Sequence, residues 1–316
     1  MKYYMAPMEG ITTYHFRRAY QKYYGGITKY FTPFLSNRSL SSRERSEILP
    51  EHNEGMHTVP QILTNRADVF ADIAGVAASY GYGAVNLNLG CPSGTVVSRG
   101  RGAGFLSMPE ALDRFLDEIF ERCPLQISVK TRIGMEDTAE WDRLLAIYKK
   151  YPLQELIIHP RLQRQGYGGQ ISMEAYQAAA RQLKIPLCYN GDILSTDASS
   201  TQYGTLGWLL SAQPDTDTVM LGRGLLRRPG MLTGDGSCAT LRAFHDEILE
   251  SYRKVMSGDT NTLYKMKDLW TFMIGGQEAF ERPLKKIRKA QRLSDYESAV
   301  DAFFASCPYE KQKQDP

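Results

Sequence analysis

Short apolar runs alternate with longer segments of helical period along most of the chain. Tyr3–Ala6, Thr28–Phe34, Thr58–Leu63, Ala84–Leu89, Gln126–Thr131, Glu155–His159, Pro186–Asn190 and Thr218–Leu221 predict eight strands. Between them, Thr13–Tyr24, Asn65–Tyr80, Pro109–Arg122, Thr138–Lys150, Ser172–Leu183 and Ala198–Leu210 predict helices, with a shorter one around Ser41–Ile48. Several open on a capping residue or an early proline, as in Ser107-Met108-Pro109. Eight alternating β/α units are what an α/β fold of the (β/α)8 TIM-barrel type needs. A doubly wound open sheet shares the alternation. The first βα turn, however, reads P-M-E-G-I-T and lacks the G-x-G-x-x-G of a dinucleotide fold.

After about Gly236 the strand pattern stops. Thr240–Met256, Thr260–Ile274, Glu278–Ala290 and Ser294–Phe304 predict helices joined at Ser257-Gly258-Asp259 and Gly275-Gly276. The expected organisation is a barrel over 1–236 followed by a C-terminal all-helical domain over 237–316. Arg282, Lys285, Lys286, Arg288, Lys289 and Arg292 crowd one helical segment, and Tyr309–Pro316 reads as a frayed polar tail.

Composition changes this picture little. With 38 basic and 35 acidic residues, net charge alone makes no case for nucleic acid, so the placement of the basic residues matters more. No apolar run approaches the roughly 20 residues that span a bilayer. Met1-Lys2 runs directly into the first strand, leaving no room for a signal peptide. The five cysteines, Cys91, Cys123, Cys188, Cys238 and Cys307, are scattered and form no C-x-x-C pair. They suggest neither a disulfide framework nor a zinc cluster, and a reducing cytoplasm is the economical location. His52 and His57 lie on a loop without matching acids or cysteines and read as solvent-exposed, not as metal ligands.

The candidate chemistry centres on Ala84–Gly104. At period two, Asn86 and Asn88 point to one face of a strand while Val85, Leu87 and Leu89 point to the other. Gly90-Cys91-Pro92 ends the strand, and a mobile basic loop with Gly94, Gly100, Gly102, Gly104, Arg99 and Arg101 is expected to follow. By itself this is an asparagine pair beside a structural cysteine. In a barrel, however, the strand carboxyl ends face the active site. They would bring Pro7, Met8, Gln61, Asn88, Cys91, Lys130, Arg132, His159, Arg161, Asn190, Asp192 and Arg223 toward one polar cavity. Burying so many polar groups is costly unless a ligand or a network satisfies them. Glycines after the last two strands, with Arg223, suit a phosphate group.

Taken together, these motifs resemble the tRNA-dihydrouridine synthase family. The resemblance rests on A-P-M at Ala6–Met8, Q-I at Gln61-Ile62, N-L-N-L-G-C-P-S at Asn86–Ser93 and V-K-T-R-I-G at Val129–Gly134. It continues with H-P-R-L-Q-R-Q-G-Y at His159–Tyr167, N-G-D-I at Asn190–Ile193, G-R-G at Gly222–Gly224 and K-M-K-D-L-W at Lys265–Trp270. It departs at Gly94, where many relatives carry lysine, and at Pro160, where many carry glycine.

The resemblance implies an FMN-dependent oxidoreductase that reduces the uracil C5–C6 double bond in tRNA, with NADPH or NADH reducing the flavin. Reduced flavin would deliver hydride to C6 while Cys91 protonates C5 from the opposite side. Pro7, Met8, Gln61, Lys130 and His159 would line the flavin. Asn190, Asp192, Gly222 and Arg223 would hold its ribityl chain and phosphate. Asn88, Arg132 and Tyr167 would orient a uracil flipped out of its stack, and the glycine-rich loop would close as a flap. Lys285, Lys286, Arg288 and Lys289 become expected RNA contacts, with no membrane and no obligate protein partner. Ribosomal RNA as substrate, a free pyrimidine-like substrate and a non-catalytic RNA-binding protein remain as alternatives.

Overall fold

The computed structural model describes residues 1–274 and 278–306, so the expected frayed tail at Tyr309–Pro316 lies outside the described residues. In chain order the elements begin with β1 (Lys2–Met5), α1 (Tyr14–Tyr23), β2 (Lys29–Phe31), α2 (Ser42–Ile48), β3 (Thr58–Val59), β4 (Gln61–Ile62) and α3 (Ala67–Ser79). β5 (Ala84–Leu89), α4 (Gly94–Val97), α5 (Pro109–Arg122), β6 (Gln126–Arg132), α6 (Glu140–Tyr148), β7 (Leu156–His159) and α7 (Met173–Gln182) follow. Next are β8 (Leu187–Tyr189), α8 (Leu206–Ala212), β9 (Thr218–Leu221) and α9 (Arg223–Arg227). Four helices end the described chain: α10 (Cys238–Val255), α11 (Asp259–Phe272), α12 (Glu278–Lys289) and α13 (Leu293–Ser306).

Two compact units result. The first contains Met1–Pro7, Thr28–Ile193 and Asp197–Leu221; the second contains Met8–Ile27, Leu194–Thr196 and the chain from Gly222 onward.

In the first unit all strand pairs are parallel, in the order β3-β2-β1-β9-β8-β7-β6-β5-β4. β3 and β4 stand at opposite ends of that order but are separated in sequence by Pro60 alone, so the chain itself joins the two edges. The sheet closes into an eight-position barrel whose third strand is interrupted, because proline has no N–H to offer a ladder. The Pro60 carbonyl still accepts from the Asn86 N–H at 2.9 Å. The single strand expected at Thr58–Leu63 is therefore two short pieces around a proline, and the TIM barrel, not the open sheet, is the fold.

Tyr4, Ala6, Phe31, Val59, Ile157, Cys188 and Met220 form a buried cluster among the strands. At the amino ends of the strands a buried ion pair sits beside this core. Lys29 Nζ lies 2.7 Å from Glu155 Oε1, and the Tyr4 hydroxyl donates to Glu155 Oε2 at 3.0 Å. This satisfies polar groups that would be expensive to bury alone.

Two local structures depart from the pattern reading. The helix expected from Ala198 begins only at Leu206, because Asp197 Oδ1 accepts from the Ser199 N–H at 2.8 Å and holds a turn. Thr205 then caps α8 by accepting from the Trp208 N–H. In α2, Glu44 completes a capping box with Ser41 and also accepts from Ser36 and Asn37. Burial would raise the pKa of this carboxyl, but the hydrogen bonds from Asn37, Ser36 and Ser41 outweigh it and pull the value down to about 2. Because the folded value lies below that of an unfolded glutamate, the stabilisation is present above about pH 4.5 and is lost as pH falls toward 2. In urea unfolding, Glu44→Gln is expected to cost about 3 kcal/mol at pH 7. The gap to wild type should close as the pH is lowered toward 2.

In the second unit α1 packs on α10, with Phe16 edge-on to Phe244 at 5.3 Å and the Thr13 and Tyr252 hydroxyls 2.9 Å apart. Farther along α10, the buried His245 ring contacts the Tyr296 hydroxyl at 2.6 Å, and Trp270 Nε1 donates to that hydroxyl at 2.7 Å. α12 buries Phe280, Leu284 and Ile287 on one face and exposes Arg282, Lys285, Lys286 and Lys289 on the other, while Arg288 is half-buried. Arg292, just beyond α12, is exposed.

Cys238 is disulfide-bonded, whereas Cys91, Cys123 and Cys188 are free thiols, so no disulfide framework is present among the described residues. Among the described residues no helix is long and apolar enough to cross a membrane.

Candidate active site

β5 ends by presenting Asn88, and the chain turns sharply through Gly90-Cys91-Pro92. Asn88 Oδ1 accepts from the backbone N–H groups of Gly90 at 3.0 Å and Cys91 at 2.9 Å. Arg132 Nε donates to the Gly90 carbonyl at 2.9 Å, the Ala103 N–H to the Cys91 carbonyl at 3.1 Å, and Gln163 Nε2 to the Pro92 carbonyl at 3.1 Å. Groups from four separate segments thus fix the backbone of the half-buried Cys91.

Below Asn88 lies a row of buried polar side chains. Strand register sets Gln61 beside Asn86 and Asn86 beside Ser128, with Asn88 beside Lys130 one level nearer the strand ends. Asn88 Nδ2 donates to Gln61 Oε1, Gln61 Nε2 to Asn86 Oδ1 and Asn86 Nδ2 to Ser128 Oγ, each at 2.8 Å.

Lys130 is half-buried and makes no hydrogen bond or ion pair among the described residues. Burial first, then the neighbouring Arg132 cation, pushes its pKa down to about 8. An unpaired ammonium group at a strand carboxyl end fits an anionic ring system such as a reduced flavin. Arg132 was expected to meet a substrate but is fully buried. Besides Gly90 it donates to the carbonyls of Leu162 at 2.8 Å and Gly166 at 2.6 Å. Its structural contribution is to tie the Cys91 turn to the loop after β7. The exposed Tyr167 ring lies 5.7 Å from the Arg132 guanidinium.

His159, at the end of β7, has its Nε2 3.2 Å from Arg161 Nη1. Arg161 makes a bidentate pair with Asp192, Nη1 to Oδ1 at 3.1 Å and Nη2 to Oδ2 at 2.5 Å, and also donates to the Gly169 carbonyl. Burial disfavours the guanidinium charge, but the hydrogen bonds and charge of Asp192 more than compensate, so its pKa is raised. The Tyr203 hydroxyl donates to the same carboxylate at 3.1 Å. Asn190 is buried and donates through Nδ2 to the Met220 carbonyl at 2.9 Å. Arg161, Gln163, Asn86 and Ser128 had no assigned role from sequence. The available signals were the placement of Arg161 two residues after a strand-end histidine and of Asn86 two residues before Asn88.

Pro7, Gln61, Lys130, His159, Asn190, Asp192, Asn88, Cys91, Arg132 and Tyr167 all belong to the barrel unit, whereas Met8, Gly222 and Arg223 belong to the second. Within that second unit the Met8 N–H donates to Thr12 Oγ1 at 2.7 Å, and Gly222 immediately precedes α9.

The segment after Cys91 is not the open loop its glycines suggested. It forms α4, then a 3-10 turn over Gly102–Ser107 in which residues 102–106 are buried. Gly102 has φ +55°, and a Cβ there would meet Cys91 Cβ at 3.0 Å; one on Gly104 would lie 2.6 Å from the Val97 carbonyl oxygen. These glycines permit close packing against the Cys91 turn, a use of the residue as common as flexibility. Gly94, the first residue of α4, is exposed and has open space around it.

The arrangement can hold a thiol at a fixed position, offer the side-chain N–H of Asn88 near it and place the Lys130 cation at the same level. A family profile described as dihydrouridine synthase (Dus) matches residues 4–304. The tRNA-dihydrouridine synthase B of Pasteurella multocida (strain Pm70) is 29% identical over 229 residues, covering 72% of this chain and 66% of that one. A probable tRNA-dihydrouridine synthase of Rhodobacter capsulatus is 26% identical over 265 residues, 80% of this chain and 79% of its own. The tRNA-dihydrouridine(16) synthase of Aquipseudomonas alcaligenes is 28% identical over 241 residues, 72% of each chain.

Proposed function

The chain belongs to the dihydrouridine synthase family, and from that premise we propose that it reduces the C5–C6 double bond of uridines in tRNA to 5,6-dihydrouridine, with FMN as cofactor and NADPH or NADH as reductant. The observation that carries this reading is the clamped turn that fixes Cys91 beside the Asn88–Lys130 level of the barrel. When bound, FMN supplies the hydride that goes to C6. Cys91 holds the proton for C5 at Sγ, as the general acid of the reaction. Lys130 places positive charge beside the flavin ring. Pro7 and His159 would line it, with Asn190 and Asp192 toward the ribityl chain; Met8, Gln61, Gly222 and Arg223 keep their cofactor roles on the resemblance alone. Asn88 and Tyr167 meet the uracil, and Arg132 serves it by holding the Cys91 turn. The exposed basic face of α12 supplies phosphate contacts. In functional terms 1–236 remains the catalytic region and 237–316 the RNA-recognition region, in a cytoplasmic enzyme.

The test is direct: purified protein loaded with FMN and given NADPH and an unmodified tRNA transcript should form dihydrouridine, detected by mass spectrometry of the digested RNA. A yellow, NADPH-reducible protein that leaves every transcript unchanged would exclude the reading. Lys130 gives a second check. Its folded pKa lies below that of an unfolded lysine, so its burial costs stability below about pH 8, and the cost fades as pH rises from 8 to 10.5. Lys130→Met is therefore expected to stabilise the FMN-free protein by up to about 3 kcal/mol at pH 7. It should also weaken FMN retention on dialysis.

A further inference from the structure

We propose that Asn86 and Ser128 are positioning residues that lock the side-chain amide of Asn88 so that it offers an N–H, not a carbonyl, at the strand ends. The inference rests on the reading that Asn88 faces the substrate. It starts from two chain ends whose chemistry cannot be reversed. The backbone N–H groups of Gly90 and Cys91 can only donate, and both point at Asn88 Oδ1. At the other end, Ser128 Oγ donates to the Val85 carbonyl at 3.3 Å, and that carbonyl can only accept.

Between these ends each primary amide has one allowed orientation. Asn88 must turn its nitrogen to Gln61, Gln61 its nitrogen to Asn86, and Asn86 its nitrogen to Ser128. Flipping Asn88 or Gln61 would set donor against donor at one contact and acceptor against acceptor at the next, and flipping Asn86 would set its nitrogen against that of Gln61 and draw the Ser128 hydroxyl proton away from the Val85 carbonyl. Buried hydrogen bonds in series reinforce one another and leave no water to absorb a mismatch. Gln61, Asn86 and Ser128 are at most 1% exposed, whereas Asn88 is 8% exposed. Asn88 is thus the member of the row with surface left for a ligand.

Its carbonyl already carries two backbone N–H groups, so its second Nδ2 hydrogen is what it has to offer. A donor there favours a base edge that presents a carbonyl, as uracil does, over one that presents an amino group, as cytosine does. Asn86 and Ser128 touch no ligand in this scheme. They act through Gln61 and Asn88.

The FMN-loaded full-length protein tests this with Ser128→Ala, which removes the far end of the row, and Ser128→Thr, which restores a hydroxyl. The readouts are hydrogen exchange of the Asn88 side-chain amide by NMR and steady-state reduction of a tRNA transcript. In Ser128→Ala, exchange at Asn88 should quicken about tenfold and kcat should fall about five- to tenfold, with KM within about twofold. Ser128→Thr should return both to near wild type. Unchanged Asn88 exchange in Ser128→Ala, or a threonine variant as impaired as the alanine one, overturns the proposal. If the wild-type protein reduces no uridine, the substrate reading fails, and the exchange measurement still decides whether Ser128 positions Asn88.

Discussion

Cys91→Ala is expected to lower dihydrouridine formation by about 10²–10⁴-fold, the usual worth of a positioned general acid. FMN content and the rate of flavin reduction by NADPH should stay near wild type. The separation follows from where the residue sits. The polar contacts that hold its turn are made by its backbone and those of Gly90 and Pro92, so removing the thiol leaves them in place. Removing Sγ from a half-buried position also opens little space in the core. A Cys91→Ala variant that turns over RNA at the wild-type rate would refute the proton-donor assignment while leaving the fold and the flavin site unaffected. Single-turnover measurements with pre-reduced protein isolate the RNA half of the reaction and make the comparison clean.

Asp192→Ala should cost about 3–5 kcal/mol of stability, because it strands the buried Arg161 guanidinium without its counter-charge. Arg161 has only 2% of its side chain exposed, so water cannot take over. The Gly169 carbonyl and the His159 ring would remain, and neither carries a compensating negative charge. Adding Arg161→Met to the same chain removes the stranded charge and should recover most of the loss. The urea midpoints of the wild type, the single variant and the double variant measure both effects. A single variant within about 1 kcal/mol of wild type would mean that the carboxylate contributes little to holding Arg161. Both variants should also bind FMN weakly if Asp192 borders the cofactor, as proposed.

These two residues show how unevenly the site could be read. Cys91 stood out only through the resemblance carried by N-L-N-L-G-C-P-S, a motif of consecutive residues, since the strand pattern alone left it a structural cysteine. Arg161 was legible as a strand-end arginine, but its pairing was not, because Asp192 lies 31 residues away on another strand end. Arg132 was visible as a strand-end arginine, but a cation at that place can face a ligand or turn inward to carbonyls. Only the path of the β7 loop decides between them, and Leu162 and Gly166 bring the carbonyls. The glycine-rich stretch after Cys91 was misleading for a related reason. Glycine serves mobility and close packing equally well, and the neighbours that distinguish the two are Cys91 and Val97, brought near by folding.

The sequence by itself determined the alternation of strands and helices, because periods of 2.0 and 3.6 are local properties of the backbone. β5 and α5 have the bounds that pattern predicts, Ala84–Leu89 and Pro109–Arg122. It also determined the family, through motifs that each occupy a few consecutive residues. Tertiary structure alone decided that the sheet closes across Pro60 and that α1 packs with α10. It also decided which amides satisfy one another beneath Cys91. Those outcomes depend on groups far apart in the chain, whose pairing is set by the free energy of burying polar atoms together and not by any local preference.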